Sequence, residues 1–367
     1  MKAFLRRVVG GLAVAVAILA LLEGVARLIE LRHPARAFDA GLGFDPASRL
    51  FAPVPGSPGT YETAVEKRVA FRTQRFLVPK TPGTLRLFAV GESSVYNLDN
   101  ELGKMARHLA ERLGRPVEIV NAGGRSYGSQ RLVPIARELL DYQPDGVLLY
   151  LGHNEFEELE QLQLASPRLA PAMRVAMHFA LFRVPLDAVA SAHERELREH
   201  NRRVLAVGRV DYQSAWAHEF SAGEVAERMR AFDAHVRDMI ELWTSRGVKV
   251  VMGTIPSNRF RPRLLDGISG DLLDLQARGL WSEADARARA LLANATWRHQ
   301  SSDRENAILR DAAASYHLPI ADVARGVVEA EPHSVPGETL FVDQCHLNPA
   351  GNAIWARLYQ AELDRIF

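Results

Sequence analysis

The hydrophobic positions along the chain fall into short, dense runs separated by longer stretches of helical periodicity. Leu85-Arg86-Leu87-Phe88-Ala89-Val90 places five apolar residues in six between Pro82-Gly83 and Gly91, which predicts a buried strand. Similar runs at 117–120, 147–151, 248–252 and 318–321 predict four more, with helices over 101–113, 130–142, 224–243 and 302–316 between them. Strand and helix in alternation predict a five-stranded parallel sheet. In such a sheet the turns after the strands gather at one edge, where ligands bind.

The N-terminus carries a different pattern. Lys2, Arg6 and Arg7 precede fifteen uncharged residues, Val8 to Leu22, and the polar flank runs on as Glu23-Gly-Val-Ala-Arg27-Leu-Ile-Glu30. A helix continued through Ile29 reaches the span of about 20 residues that a bilayer requires. The leading positive charges keep the N-terminus in the cytoplasm and place the remainder on the outer, periplasmic side. Residues 1–32 are therefore expected to be a single-pass anchor in the cytoplasmic membrane. A cleaved signal peptide is the rival, because Gly24-Val25-Ala26 offers small residues at a suitable offset. From 33 to 82, seven prolines with interspersed Gly and Ser predict an extended tether, with an edge strand over 71–78.

Composition narrows the function. Of 367 residues 47% are hydrophobic, enough for a real core, and 45 basic residues balance 44 acidic ones. That balance gives no sign of the basic field that nucleic-acid binding requires. One cysteine, Cys345, rules out an intrachain disulfide framework and two-cysteine metal spacings.

The turns after the first three strands are Gly91-Glu92-Ser93-Ser94, Asn121-Ala122-Gly123-Gly124-Arg125-Ser126 and Gly152-His153-Asn154-Glu155. A fourth polar segment, Asp343-Gln344-Cys345-His346, precedes Asn348-Pro349, a helix-start signature. Together they offer Ser93 as nucleophile, His346 as its general base and Asp343 to fix the imidazole tautomer. Asn154 and turn N–H groups would receive an oxyanion. His153 is expected to pack or hydrogen-bond within its turn. Cys345 is expected to be filler, its side chain directed away from that of His346.

These four segments, in this order, resemble the four sequence blocks of the SGNH (GDSL-type) hydrolases, over roughly residues 83–365. The resemblance implies an α/β fold, a three-layer α/β/α flavodoxin-like parallel sheet with helical insertions, here preceded by an N-terminal membrane helix. It also implies esterase or acyltransferase chemistry without a metal or other cofactor. By matching position, Ser93, Asp343 and His346 form the catalytic triad and Asn154 is an oxyanion donor; spacing makes Ser126 the second-block donor, with Gly124 as the alternative. Glu92 and Glu155 depart from the family pattern, each replacing an Asp with the longer acid.

The catalytic domain, 83–367, carries more chain than five crossovers need. Helical insertions are expected at about 156–222, including helix over 190–207 and an apolar stretch 172–189 able to touch a bilayer, and at about 264–300, where one tetratricopeptide-like hairpin is read. Arg259, Arg261 and Arg263 are expected at the active edge as a solvated loop or a site for an anionic group. The function expected is a membrane-anchored serine esterase or acyltransferase acting on acyl, first of all O-acetyl, esters of cell-envelope glycans. The alternative is a catalytically silent scaffold of the envelope. Oligomeric state is left open.

Overall fold

The computed structural model describes residues 2–32, 49–68, 70–161, 175–176, 178–188, 219–264 and 267–367. The chain divides into two compact units, 1–48 with 169–212, and 49–168 with 213–367. The expected helix over 190–207, and most of the insertion expected at 156–222, lie outside the described residues.

The second unit holds a five-stranded parallel sheet of β4 (Leu85–Gly91), β5 (Val117–Gly123), β6 (Gly146–Tyr150), β7 (Lys249–Gly253) and β8 (Ile320–Ala321), in the order β5-β4-β6-β7-β8. Counted within the sheet this is second, first, third, fourth, fifth, the flavodoxin-like order, and its reversal of direction leaves a crevice beside the end of β4. Every residue of β4 and β6 is buried, as expected of strands covered on both faces. Helices α3 (Asp99–Leu113), α10 (Val323–Ala330) and α11 (Pro349–Ile366) pack together as one layer, and α4 (Ser129–Leu139), α6 (Ala222–Thr244) and α9 (Asp303–Ser315) as the other. Two buried aromatics tie helix to neighbouring backbone through their polar atoms: Tyr359 Oη donates to Leu149 O at 2.7 Å and Trp243 Nε1 to Ala136 O at 3.0 Å.

Within the stretch expected to be an extended tether with an edge strand over 71–78, the strands β1 (Phe51–Pro53), β2 (Thr60–Thr63) and β3 (Arg75–Leu77) form a three-stranded antiparallel sheet, β3 falling inside the expected edge strand. The reason is aromatic packing: Phe51, Tyr61 and Phe76 cluster with Tyr142, and both phenylalanines also reach Phe88 of β4. Arg86, buried in β4, locks the small sheet to the large one. Its guanidinium donates to Leu77 O (2.6 Å) and Tyr142 O (2.7 Å) and pairs with Glu118 (2.6 Å), so a charge inside a strand is fully satisfied.

The hairpin at the second insertion is α7 (Gly270–Ala277) and α8 (Trp281–Asn294), closed over a small core of Leu272, Ala284 and Ala288. In the first unit, α1 (Lys2–Arg32) is the one helix among the described residues long and apolar enough to cross a membrane. The helical segment 180–188 docks on its C-terminal half. Glu23 accepts the N–H groups of Ala180 (3.0 Å) and Leu181 (2.9 Å), capping that segment, and Glu30 pairs bidentately with Arg183 at 2.7 Å.

Candidate active site

Ser93 opens a short helix, α2 (Ser93–Tyr96), at the carboxyl end of β4. Gly91, just before it, is required by close approach: a β-carbon there would collide with the Tyr150 carbonyl of β6 and with Val95. Glu92 turns inward, is buried, and accepts the N–H groups of His153 (2.9 Å) and Asn154 (2.9 Å). The longer acid of the first block thereby holds the third block's turn. Burial, with the Glu155 charge nearby, pushes the Glu92 carboxyl well above the usual range, against the pull of those backbone donors.

His346 is brought to Ser93 by the loop before α11. Asn348 caps that helix, its Oδ1 accepting Ala350 N–H (3.0 Å) and Gly351 N–H (3.1 Å). The loop is pinned from the β7 side by Asn258, whose amide donates to Asp343 O at 3.0 Å. His346 Nε2 then lies 2.8 Å from Ser93 Oγ, and His346 Nδ1 lies 2.7 Å from Asp343 Oδ2. The other carboxylate oxygen, Oδ1, accepts the N–H groups of Cys345 (2.9 Å) and His346 (2.7 Å). Burial works to raise the Asp343 carboxyl, but His346 and these two donors override it and hold the group well below the usual carboxylate range. An ionised Asp343 fixes the proton on Nδ1 and leaves Nε2 to accept from Ser93.

On the other side of Ser93 stands the second-block turn. Gly124 N–H donates to Gly91 O (2.9 Å) and Arg125 N–H to Ala70 O (2.9 Å), so both are spent on structure. Ser126 has φ of 61°, the left-handed region that a glycine would enter freely and a serine enters at a cost of about 1 kcal/mol. No acceptor takes its N–H among the described residues. The Asn154 side chain is buried, and one of its amide protons reaches Tyr127 O at 3.3 Å. Of the two candidates in the second block, Gly124 is thus committed to the sheet, and Ser126 keeps a donor to offer.

The first turn of α5 (Glu155–Gln161), where the helical insertion expected from about 156 begins, secures this turn residue by residue. Glu155 accepts from Ser129 N–H (2.7 Å) and Oγ (2.8 Å), and Glu157 from Ser126 Oγ (2.7 Å). Glu158 accepts from Gly128 N–H (3.0 Å), Arg131 N–H (3.1 Å) and Arg131 Nε (2.8 Å). Arg228 of α6 bridges Glu155 (2.8 Å) and Glu158 (2.7 Å), with all three side chains fully buried. The sequence signal was Glu155-Phe-Glu-Glu directly after a strand turn, where an acidic helix start is ordinarily solvated.

His153 is buried, and its Nδ1 accepts Ser301 N–H at 3.1 Å; burial, together with nearby His346, pushes its pKa down to about 3. Cys345 is closer to the chemistry than sequence adjacency suggested: its buried Sγ lies 3.5 Å from His346 Nδ1. Burial, with the charges of Asp343, Glu157 and Glu92, pushes the thiol well up, so it stays protonated and unreactive. Asp343, Cys345 and His346 together have metal-ligand chemistry. Their hydrogen bonds already commit His346 to Asp343 and Ser93. The three arginines separate: Arg259 pairs with Asp285 (2.5 Å), Arg261 with Gln276 (2.6 Å), and Arg263 lies over Trp297.

Comparison with protein-family models and with curated proteins finds no match. Solved structures give many matches, at low identity. A GDSL-like lipase from Bacteroides thetaiotaomicron is 10% identical over 77% of this chain and 89% of its own, with a TM-score of 0.40. A lipase/acylhydrolase from Enterococcus faecalis is 13% identical over 77% and 96%, TM-score 0.40. An acetyl xylan esterase is 13% identical over 77% and 100%, TM-score 0.42. The strand order β5-β4-β6-β7-β8 and the polar turns after its strands agree with the α/β fold that the resemblance to the SGNH (GDSL-type) hydrolases implies.

Proposed function

We propose that this chain is a membrane-anchored serine hydrolase that forms an acyl-enzyme on Ser93 and passes the acyl group to water or to a hydroxyl acceptor. The observation that carries this reading is the unbroken line Ser93 Oγ to His346 Nε2 (2.8 Å) and His346 Nδ1 to Asp343 Oδ2 (2.7 Å). Ser93 Oγ attacks the ester carbonyl while His346 Nε2 takes its proton. The carbonyl oxygen becomes an oxyanion facing the Ser126 N–H and the Asn154 amide, where fixed donors are worth most. Collapse expels the alcohol, which leaves with the proton from His346. Water or a second hydroxyl, deprotonated by the same imidazole, then releases the acyl group from Ser93.

Labelling with a fluorophosphonate tests the reading. Wild-type protein is expected to label on Ser93, and Ser93→Ala and His346→Ala to lose labelling and turnover by several orders of magnitude, with the two losses far from additive. Asp343→Ala should cost less. Wild-type protein that stays unlabelled beside a working serine esterase would shift the reading to the silent scaffold.

For substrate, we place the site on the periplasmic side of the cytoplasmic membrane, held by α1, facing acyl esters of envelope glycans. The charge order at the N-terminus supports that orientation. A retained anchor is supported by Glu23, whose carboxylate accepts the N–H groups of Ala180 and Leu181 and would be lost by cleavage after Ala26. The acyl group expected first is acetyl, as on O-acetyl esters of envelope glycans. Acetyl esters are expected to turn over well ahead of octanoyl esters. A preference for the longer chain would move the substrate to lipid, and transfer against hydrolysis is read by adding a glycan acceptor.

A further inference from the structure

The second-block turn poses a specific problem: a serine stands where the backbone is left-handed, yet its N–H must be aimed at the oxyanion. Resting on the hydrolase reading above, we infer that Glu157 is a positioning residue of the oxyanion hole, holding Ser126 in the left-handed conformation so that its N–H faces the reacting carbonyl.

Each polar group of Ser126 has a different fate. Its Oγ donates to Glu157 Oε1 at 2.7 Å, its carbonyl accepts from Arg131 Nη2, and its N–H meets no acceptor among the described residues. The first bond holds the side chain, and the second the following peptide plane, of a residue whose φ of 61° is unfavourable for serine. Arg131 is itself held by Glu158 and lies over the Tyr127 ring, 4.3 Å from its centroid. Glu157 is turned toward the turn by the same helical start that places Glu155 and Glu158, and the buried ring of His299 stands 3.8 Å from its other oxygen. Burial works to raise the Glu157 carboxyl, but His299 and the Ser126 hydroxyl hold it below its ordinary range, so the tether is an ionised acceptor, the stronger kind. A glycine in this position needs no such tether, because it occupies the left-handed region freely. The acid at 157 is therefore the counterpart of the serine at 126.

This pairing gives a test that a merely structural glutamate would fail. In the native Ser126 background, Glu157→Ala is expected to lower kcat about 30- to 100-fold with KM nearly constant, the signature of a donor misplaced in the transition state. Glu157→Gln, whose amide oxygen still accepts from Ser126 Oγ, is expected to keep most of that loss from appearing. Ser126→Ala should match Glu157→Ala, since either removes the tether and leaves the backbone cost. In the Ser126→Gly background, by contrast, Glu157→Ala should cost no more than about threefold, a strong non-additivity between neighbours. Fluorophosphonate labelling rates report the same step without a natural substrate, and thermal unfolding shows that each variant is folded. Equal losses from Glu157→Ala in the native and Ser126→Gly backgrounds would overturn the inference, as would a loss carried by KM alone. A Glu157→Ala protein that fails to fold leaves Ser126→Ala and Glu157→Gln to decide it by the same criteria. Wild-type protein that does not label at all would instead overturn the hydrolase reading.

Discussion

His153 shows how much a single position in the third block is shaped by what surrounds it. The ring is buried against Ser301 N–H and within the field of the His346 imidazole, and its pKa falls to about 3 from an ordinary 6.5. Between those two values the unfolded chain holds a proton here that the folded chain excludes. Stability is therefore fully present above pH 6.5 and is lost as pH falls, by at most about 1.4 kcal/mol per pH unit from this group. Glutamine at 153 keeps an acceptor for Ser301 and removes the titration. His153→Gln is expected to flatten the fall in urea midpoint between pH 6.5 and 5; slopes equal to wild type would mean the folded protein admits the proton. At this scale the sequence was most legible where residue type is chemically unusual in its place. Ser93, Asp343, His346 and Asn154 stood out because each lies in a short polar segment directly after an apolar strand or before a helix start. Glu157 did not, because an acidic residue one turn into a helix is ordinarily a solvated one, and only the fold brings Ser126 above it. Cys345 was misjudged for a related reason: neighbours in a tight turn, both bonded to Asp343, need not point apart.

Among elements, the parallel strands could be read from apolar density alone, since β4 and β6 are buried on both faces and carry no alternating pattern to confuse. Of the sheet of β1, β2 and β3 only β3 could, inside the edge strand expected over 71–78. Its strands are three or four residues long, lie among prolines, and owe their register to aromatic contacts with Phe88 and Tyr142 that are distant in sequence. A helical insertion from about 156 was expected, but not the pairings at its start, because the three acids of α5 find partners distant in sequence, in the second-block turn, on α4 and α6, and at His299. That junction makes a quantitative prediction. Arg228 is fully buried and is shared by Glu155 and Glu158, so Arg228→Leu leaves two buried carboxylates short of a counter-charge and should cost about 3 to 5 kcal/mol in denaturant unfolding. Arg237, one face away on the same helix, pairs with Asp233 and Asp311 while partly exposed, and Arg237→Leu should cost less than about 1 kcal/mol. A similar loss from both variants would show that the buried cluster is hydrated.

For the whole molecule the open question is the fate of α1, and the first unit bears on it directly. A cleaved signal peptide leaves the mature protein, and with it goes every contact its residues make. Here the residues just past the apolar run are engaged: Glu23 caps 180–188, Arg27 donates to His178 O at 3.2 Å, and Glu30 holds Arg183. Loss of residues 1–26 would strip the cap from a segment more than 150 residues downstream. The protein purified from membranes is therefore expected to keep its full mass of 40.7 kDa, to stay with the membrane through alkaline extraction, and to present its C-terminus outside. Glu23→Ala tests the link between the two segments: with the cap gone, protease cleavage within 175–188 should become faster while membrane association is unchanged. Two results would reverse the reading: a mature protein that begins at Arg27, or a C-terminal reporter that is active only in the cytoplasm.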